Sequence, residues 1–344
     1  MSFLVRTTLA ALTGASACAV SAQSSQLTIY GRINHSLERQ TVGDRSVNAM
    51  VSNTSRIGFH GREDLGRGHY AGFLLEGGLH SDTGAGMRSA GGFAFNRKSF
   101  VYLGGDYGMV KMGFISGSSY DFVADYGVLD QPNHDTGTTA DALYYDLRRG
   151  ENSVVYTTPK WQGLTVEAAV SLHERSDRLE PSQKNMVDVS ANWVRGNWSI
   201  GAGFTDRADN HQSALRVQYS AGNFQIGAYY QRVHDAAWGI ACNTYGRGCG
   251  QRDSARITAM YTLAPAQQWV LSVGGTGDWS RQAHSSARQL TLGYNLNLSR
   301  RTKVYALYTR IHNDANTRYG YAFQGGVGYG QNARSMGVGL RHAF

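Results

Sequence analysis

The chain has 344 residues with 43 Gly, 20 Tyr, only 4 Pro and a formal charge of +8 at pH 7. Its mean hydropathy is −0.37, and no segment is apolar enough for a transmembrane helix. The Lys and Arg residues are dispersed and form no basic run, which argues against nucleic acid as a partner; a basic, water-filled interior accounts for them as well.

From the N-terminus, Met1 to Ala22 carries Arg6, an apolar stretch from Leu9 to Val20, and Val20-Ser21-Ala22 as a small-residue cleavage site. This reads as a secretory signal peptide, residues 1–22, cut before Gln23, with residues 23–344 as one domain. About 12 apolar residues are too few to cross a bilayer that needs roughly 20. Cys18 raises a lipoprotein alternative, but Ala15-Ser16-Ala17 before it lacks the usual large aliphatic residue.

Beyond that point one unit repeats: eight to ten residues of apolar/polar alternation, then a turn or a polar loop. LTIYGRI (Leu27 to Ile33) puts Leu27, Ile29 and Ile33 on one face and Thr28, Tyr30 and Arg32 on the other. SRIGFHGR (Ser55 to Arg62) turns Ile57 and Phe59 outward and Arg56, His60 and Arg62 inward. HYAGFLLEGG, NRKSFVYLGG, MVKMGF, NSVVYTTP, GLTVEAAV, MVDVSANW, NWSIGAGF, ALRVQYS, NFQIGAYYQ, ARITAMYTL, QWVLSVGG, RQLTLGYNL and KVYALYTR follow. The last is GVGLRHAF, where Val338, Leu340, His342 and Phe344 share a face and the chain stops on the aromatic.

That makes sixteen strands, an even number, as a closed antiparallel transmembrane barrel requires. Alternation averages lipid-facing with lumen-facing residues, so the mean hydropathy of a barrel looks soluble. Short connections such as Gly105-Asp106-Tyr107-Gly108 alternate with long ones, among them Leu37 to Thr54 and His80 to Phe95. Short periplasmic turns and long outer loops are the asymmetry of such barrels. Tyr156, Trp193, Trp198, Phe224, Tyr230, Trp269, Tyr294, Tyr308 and Phe344 fall near strand ends on the outward face, where interfacial aromatic girdles belong. A soluble β-sandwich fits the same periodicity. The leader and the terminal Phe344, a residue that barrel-assembly machinery reads, favour the barrel and an outer-membrane location among lipid and lipopolysaccharide.

The longest interval without a strand pattern, Gly117 to Gly150, holds Asp121, Asp125, Asp130, Asp135, Asp141 and Asp146. A loop this long is usually functional. Folded into the lumen, it sets its acids against Arg32, Arg56, Arg62, Arg97 and Lys111, which strand parity points inward. Such charge pairs across a waist govern ion selectivity. Cys242 and Cys249 have six residues between them; they form a loop disulfide, stay as free thiols, or join a metal site for which further ligands are lacking. The disulfide suits an oxidising compartment best.

SRIGFHGREDLGRGHYAGFLLEGG, FNRKSFVYLGGDYGMVKMG, NSVVYTTPKWQGL and GLRHAF resemble the general diffusion porins of β-proteobacteria, the neisserial, Burkholderia and Bordetella type. The resemblance implies a sixteen-stranded barrel, a homotrimer with one pore per subunit, an inward third loop, and a wall of arginines (Arg32, Arg56, Arg97) facing loop acids (Asp121, Asp125). Phe114-Ile115 stand where that family commonly has Arg-Gln, one cation fewer at the waist. No GxSxG, HExxH or GxxxxGK[ST] occurs, so neither an enzyme, a metal nor a cofactor is expected. The expected function is passive passage of small hydrophilic solutes and ions with mild anion preference. The rival is a channel specific for an anionic or sugar solute, for which Tyr120, Tyr126, Tyr144 and Tyr145 of the loop are candidates.

Overall fold

A computed structural model describes residues 25–87, 92–132, 141–147, 150–172, 185–207, 210–234, 249–320 and 326–344. The leader, Asp135 and Cys242 lie outside them. The strands are β1 (Ser25–Val42), β2 (Arg45–Ser52), β3 (Arg56–Gly66), β4 (His69–His80), β5 (Ala85–Gly86), β6 (Lys98–Gly105), β7 (Gly108–Phe114), β8 (Ser153–Thr157), β9 (Leu164–Ser171), β10 (Met186–Arg195), β11 (Trp198–Arg207), β12 (Asn210–Ala221), β13 (Phe224–His234), β14 (Gln251–Ala264), β15 (Gln267–Thr276), β16 (Ala287–Asn297), β17 (Thr302–Asn313) and β18 (Ala333–Ala343).

Consecutive strands pair antiparallel, and β1 closes the ring on β18 from Arg32↔Ala343 to Val42↔Ala333. β2 and β3 are two halves of one barrel strand, since β1 pairs with both, and β5 only extends the ladder of β4 by two residues. The barrel therefore has sixteen strands. Gly31 and Phe344 exchange backbone hydrogen bonds of 3.1 Å at the seam. The Phe344 ring lies where a Cβ on residue 31 would stand, so Gly31 is what admits the terminal aromatic.

Alternation is inverted relative to a soluble protein. On β14, Ile257 is 56% exposed between Arg256 at 1% and Thr258 at 0%. On β15, Trp269, Leu271 and Val273 are exposed while Val270 and Ser272 are buried. A surface of exposed Leu, Val, Ile and aromatics around a polar interior has hydrocarbon as its solvent. Trp198 packs at a tilt against Tyr219, ring centroids 4.7 Å apart, and Trp269 against Tyr294 at 4.8 Å, close to the short turns.

One connection departs from the sequence reading. Leu37 to Thr54 is not a long loop. β1 runs on to Val42, turns at Gly43-Asp44, and β2 returns. Alternation continues through this stretch, with Leu37 and Met50 exposed in register while Glu38 and Gln40 are buried. Glu38 accepts hydrogen bonds from Ser36, Gln40 and Ser335, so a charge that reads as loop is a satisfied inward residue.

Between β2 and β3 the strand bulges. His35 pairs with Ser52 and Arg32 with Arg56, so Ile33 and Asn34 face Asn53, Thr54 and Ser55. The extra residue is Thr54, with φ +54°, an uncommon conformation for a β-branched residue. Asn53 and Ser55 hold the bulge through hydrogen bonds to Asn34 of 2.8 and 3.0 Å.

Candidate pore constriction

The bulge aims at the lumen. The Arg32 guanidinium donates to both the carbonyl and the hydroxyl of Thr54, so the strained residue fixes a buried inward cation. Beside it, Glu76 of β4 is the hub of the early wall. Arg97 Nε lies 2.7 Å from Glu76 Oε1, Arg56 Nε 3.5 Å from Oε2, and Tyr30 donates to Oε2 at 3.0 Å. Two guanidiniums share one carboxylate, which leaves the group positively charged.

Arg97 reaches this hub from the residue before β6. The register pairs Glu76 with Lys98, so Lys98 takes the inward position. Lys98 is also the cation that meets a loop acid, its Nζ 3.4 Å from Asp121 Oδ2. Parity counted from Arg97 misses it; counted back from inward Tyr102, it finds it. Lys111 projects inward, yet its partner at 2.8 Å is Glu167 on β9, itself held by Thr157. Arg62 sits at the short-turn end of β3 and stacks over Tyr70 at 3.8 Å, away from the hub.

The inner face of this wall carries rings laid flat on glycines. A Cβ at Gly58 would strike Tyr30, one at Gly72 Tyr102, and one at Gly104 Tyr70. Tyr102 also receives His60 at 2.7 Å and donates to Gly61 O. Cross-strand aromatic–glycine pairing keeps these side chains against the sheet.

The long loop joins β7 to β8 and lies against inward-facing side chains of the opposite wall. It holds α1 (Ser118–Val123) and a 3-10 turn (Gly127–Asp130). Asp188 of β10 anchors the start of α1: it accepts from Ser118 Oγ at 2.8 Å, Ser119 Oγ at 2.6 Å and Thr205 Oγ1 at 2.6 Å. Arg216 of β12 stacks on Tyr126 at 3.7 Å and donates to Asn192 and Ser199. Gln218 accepts from Val128 N, and Asn295 of β16 donates to Gln131.

The distal limb is tied to β13, β14 and β16. Asp141 pairs with Arg256 at 2.9 Å, both side chains almost wholly buried, and accepts from Tyr229. Arg256 also donates to Ser272 and Gln289, each at 2.7 Å. Arg252 donates to Leu143 O, and Gln231 bonds Tyr145 at both N and O. Tyr120, Val123, Ala124, Leu129 and Tyr144 pack with Ala214 and Tyr229 into an apolar layer behind the loop. Burial, then the nearby Asp146, Asp188 and Asp141, hold the Tyr144 hydroxyl well above the ordinary tyrosine range, so it stays neutral.

The sequence-predicted acids are thus divided. Asp121 faces Lys98. Asp125 follows α1, its N–H bonded to Tyr120 O, and Asp130 ends the 3-10 turn; both are partly exposed. Asp141, one of the loop acids, does not face the early wall; it is committed to Arg256. Parity puts Arg216, Arg252 and Arg256 inward but cannot say that a loop covers them. Cys249 is buried with Val233 and Trp279 and is disulfide-bonded.

A family model described as Gram-negative porin matches residues 8–316. The chain is 28% identical to outer membrane porin protein 32 of Delftia acidovorans, over 99% of this chain and 100% of that one. It is 25% identical to an outer membrane porin protein of Bordetella pertussis, covering 86% and 83% of the two chains. Among solved structures, an anion-selective porin from Comamonas acidovorans aligns with a TM-score of 0.78 at 24% identity, over 93% of this chain and all of that one.

Proposed function

Because this chain belongs to the Gram-negative porin family, we propose that ions crossing its lumen pass between the Glu76 hub and the loop, with a mild preference for anions. The protein is a passive outer-membrane channel, not an enzyme. The observation that carries the selectivity is the Arg56–Glu76–Arg97 arrangement, two cations on one carboxylate at a wall that water can reach. A cleft with low-dielectric walls and surplus charge of one sign concentrates ions of the other. Arg32, Lys98 and Lys111 add to that wall, and Asp121, Asp125, Asp130 and Asp135 are its acidic counterpart on the loop. The Comamonas neighbour, anion-selective by its description, supports the sign.

The short turns face the periplasm and the long loops the exterior, in a homotrimer delivered by barrel-assembly machinery that reads Phe344. Cys242 is the partner of Cys249. Reversal potential in planar bilayers under a salt gradient tests the central claim: the expected sign is that of an anion-preferring pore, and a cation preference rejects it. Uptake of small sugars into liposomes should fall with solute size without saturating. Saturable uptake of one solute would favour the substrate-specific reading.

A further inference from the structure

At the long-loop end of β12 and β13, two histidines stand directly opposite each other. His211 pairs with His234, and their imidazole rings lie parallel, centroids 4.6 Å apart and planes 8° apart. Asp206 of β11 is opposite His211 in the same row. Thr205, Gln212 and Val233, their neighbours in sequence, are buried on the lumen side, so strand alternation turns all three outward. The next rung is Ser213 opposite Arg232, and only then come Leu215 and Tyr230, exposed apolar side chains of the lipid-facing surface. The row therefore stands beyond the apolar belt, and His211 is exposed there.

The surroundings suit a cation. Arg232, the positive charge on the adjoining rung, is held by Asp253 through two hydrogen bonds of 2.8 and 3.0 Å. Gln251, opposite His234 on β14, is neutral. Asp206 makes no hydrogen bond or ion pair among the described residues. Elsewhere single histidines are engaged by hydroxyl groups: His35 by Ser81 at 2.6 Å, His60 by Tyr102 at 2.7 Å and His342 by Thr302 at 2.8 Å.

We propose that His211, His234 and Asp206 bind a divalent transition-metal ion of the zinc or copper kind on the outer rim. Imidazole nitrogens favour such ions, whereas calcium and magnesium take oxygen ligands. With zinc about 2.0–2.1 Å from each nitrogen, the two coordinating nitrogens stand about 3 Å apart. Among the described residues no three ligating groups are already gathered around one point; the ion draws them in, as each ring pivots about its Cβ–Cγ bond and the carboxylate swings across. Water fills the remaining positions. The bound ion ties β11, β12 and β13 together where β13 ends at His234, and it stabilises the barrel by mass action. The three ligands come from three strands, so no spacing in the sequence signals them. The inference rests on the register of the outward face and is independent of the route that ions take through the lumen.

The test is titration of tag-free, chelator-washed oligomer in detergent with Cu2+ and with Zn2+. The wild type should bind one Cu2+ per chain, and its electron paramagnetic resonance spectrum should show nitrogen coupling from two imidazoles. His211→Gln and His234→Gln should each weaken binding at least ~10-fold, the change that about 1.4 kcal/mol of lost ligand energy produces. Asp206→Asn should weaken it severalfold, and His342→Gln should leave it unchanged. Undiminished binding in any of the first three variants, or an equal loss in His342→Gln, overturns the proposal. A second measurement needs no substitution: Zn2+ should protect both His211 and His234 of the wild type from acylation by diethyl pyrocarbonate while His342 stays reactive. If either rim histidine reacts as fast with zinc as without it, the site does not exist, whether or not the variants yield oligomer.

Discussion

The two walls of the lumen use arginine for different ends. On the early wall, Arg56 and Arg97 keep 26% and 21% of their side chains exposed, and Lys98 34%. On the late wall, Arg216, Arg252 and Arg256 are buried at 0%, 2% and 1%. The first group faces water and, on the proposed reading, acts on ions at a distance. The second lies under the loop and is consumed by Tyr126, Leu143 O and Asp141. The difference teaches that an inward arginine says little about permeation until the path of the loop is known. Parity gives the direction of a side chain; only packing says what stands in front of it.

The largest effect should come from breaking the late wall. Asp141→Ala leaves Arg256 buried without its carboxylate, a loss of about 3–5 kcal/mol for a buried pair. The distal limb of the loop should then leave the wall. The expected result is a lower thermal transition and noisier single-channel conductance, with the sign of selectivity kept. A variant as stable and as quiet as the wild type would show that Asp141 does not anchor the loop. Arg256→Met, which removes the charge but keeps apolar volume, should do less harm to stability than Asp141→Ala, because Asp141 keeps the hydrogen bonds it accepts from Tyr229 and from the Leu143 and Tyr144 N–H groups.

On the early wall the expected effects are electrical. Arg97→Glu changes the hub by two charges and should reverse the selectivity toward cations while the barrel still folds. A unit charge 4 Å from an ion is worth about 1 kcal/mol in bulk water, roughly a fivefold change in permeability ratio per charge. Glu76→Gln should move the ratio the other way by about one such factor, and it should also loosen Arg56, Arg97 and Tyr30 together. If reversal potentials leave both variants equal to the wild type, the ion path does not pass the hub.

Much of the barrel was legible because lipid and water enforce a period of two on every strand. Ile257 between Arg256 and Thr258 reads unambiguously, and so does the terminal Val338, Leu340, His342, Phe344 face. The β1–β2 hairpin was not legible, since Glu38, Arg39 and Gln40 in a row look like a loop. Their alternation is between an inward network and an exposed rim, both polar, so hydropathy does not separate them. At the site, parity names Arg32, Arg56 and Lys111 on the early wall but misplaces Arg97 and misses Lys98, which takes the inward position opposite Glu76. The partners of these cations were not legible, because Glu76 and Glu167 come from neighbouring strands whose register sequence does not give. The bulge at Thr54 was hidden for the same reason: one extra residue shifts the pairing and leaves composition unchanged.

The smallest expected effect concerns Arg62, which parity ranks with Arg32 and Arg56 but the structure places at the short-turn mouth over Tyr70. It is exposed there, and at physiological ionic strength a charge more than about 8 Å from the ion path is largely screened. Arg62→Gln should therefore alter the permeability ratio by less than a factor of about two at that ionic strength, with any effect growing as salt is lowered. Arg97→Gln, measured beside it, should change the ratio more and depend less on salt, because on the proposed reading the hub lines the ion path. Equal effects from the two would place the selectivity at the mouth, and the contrast between the early and late walls would then lose its functional meaning.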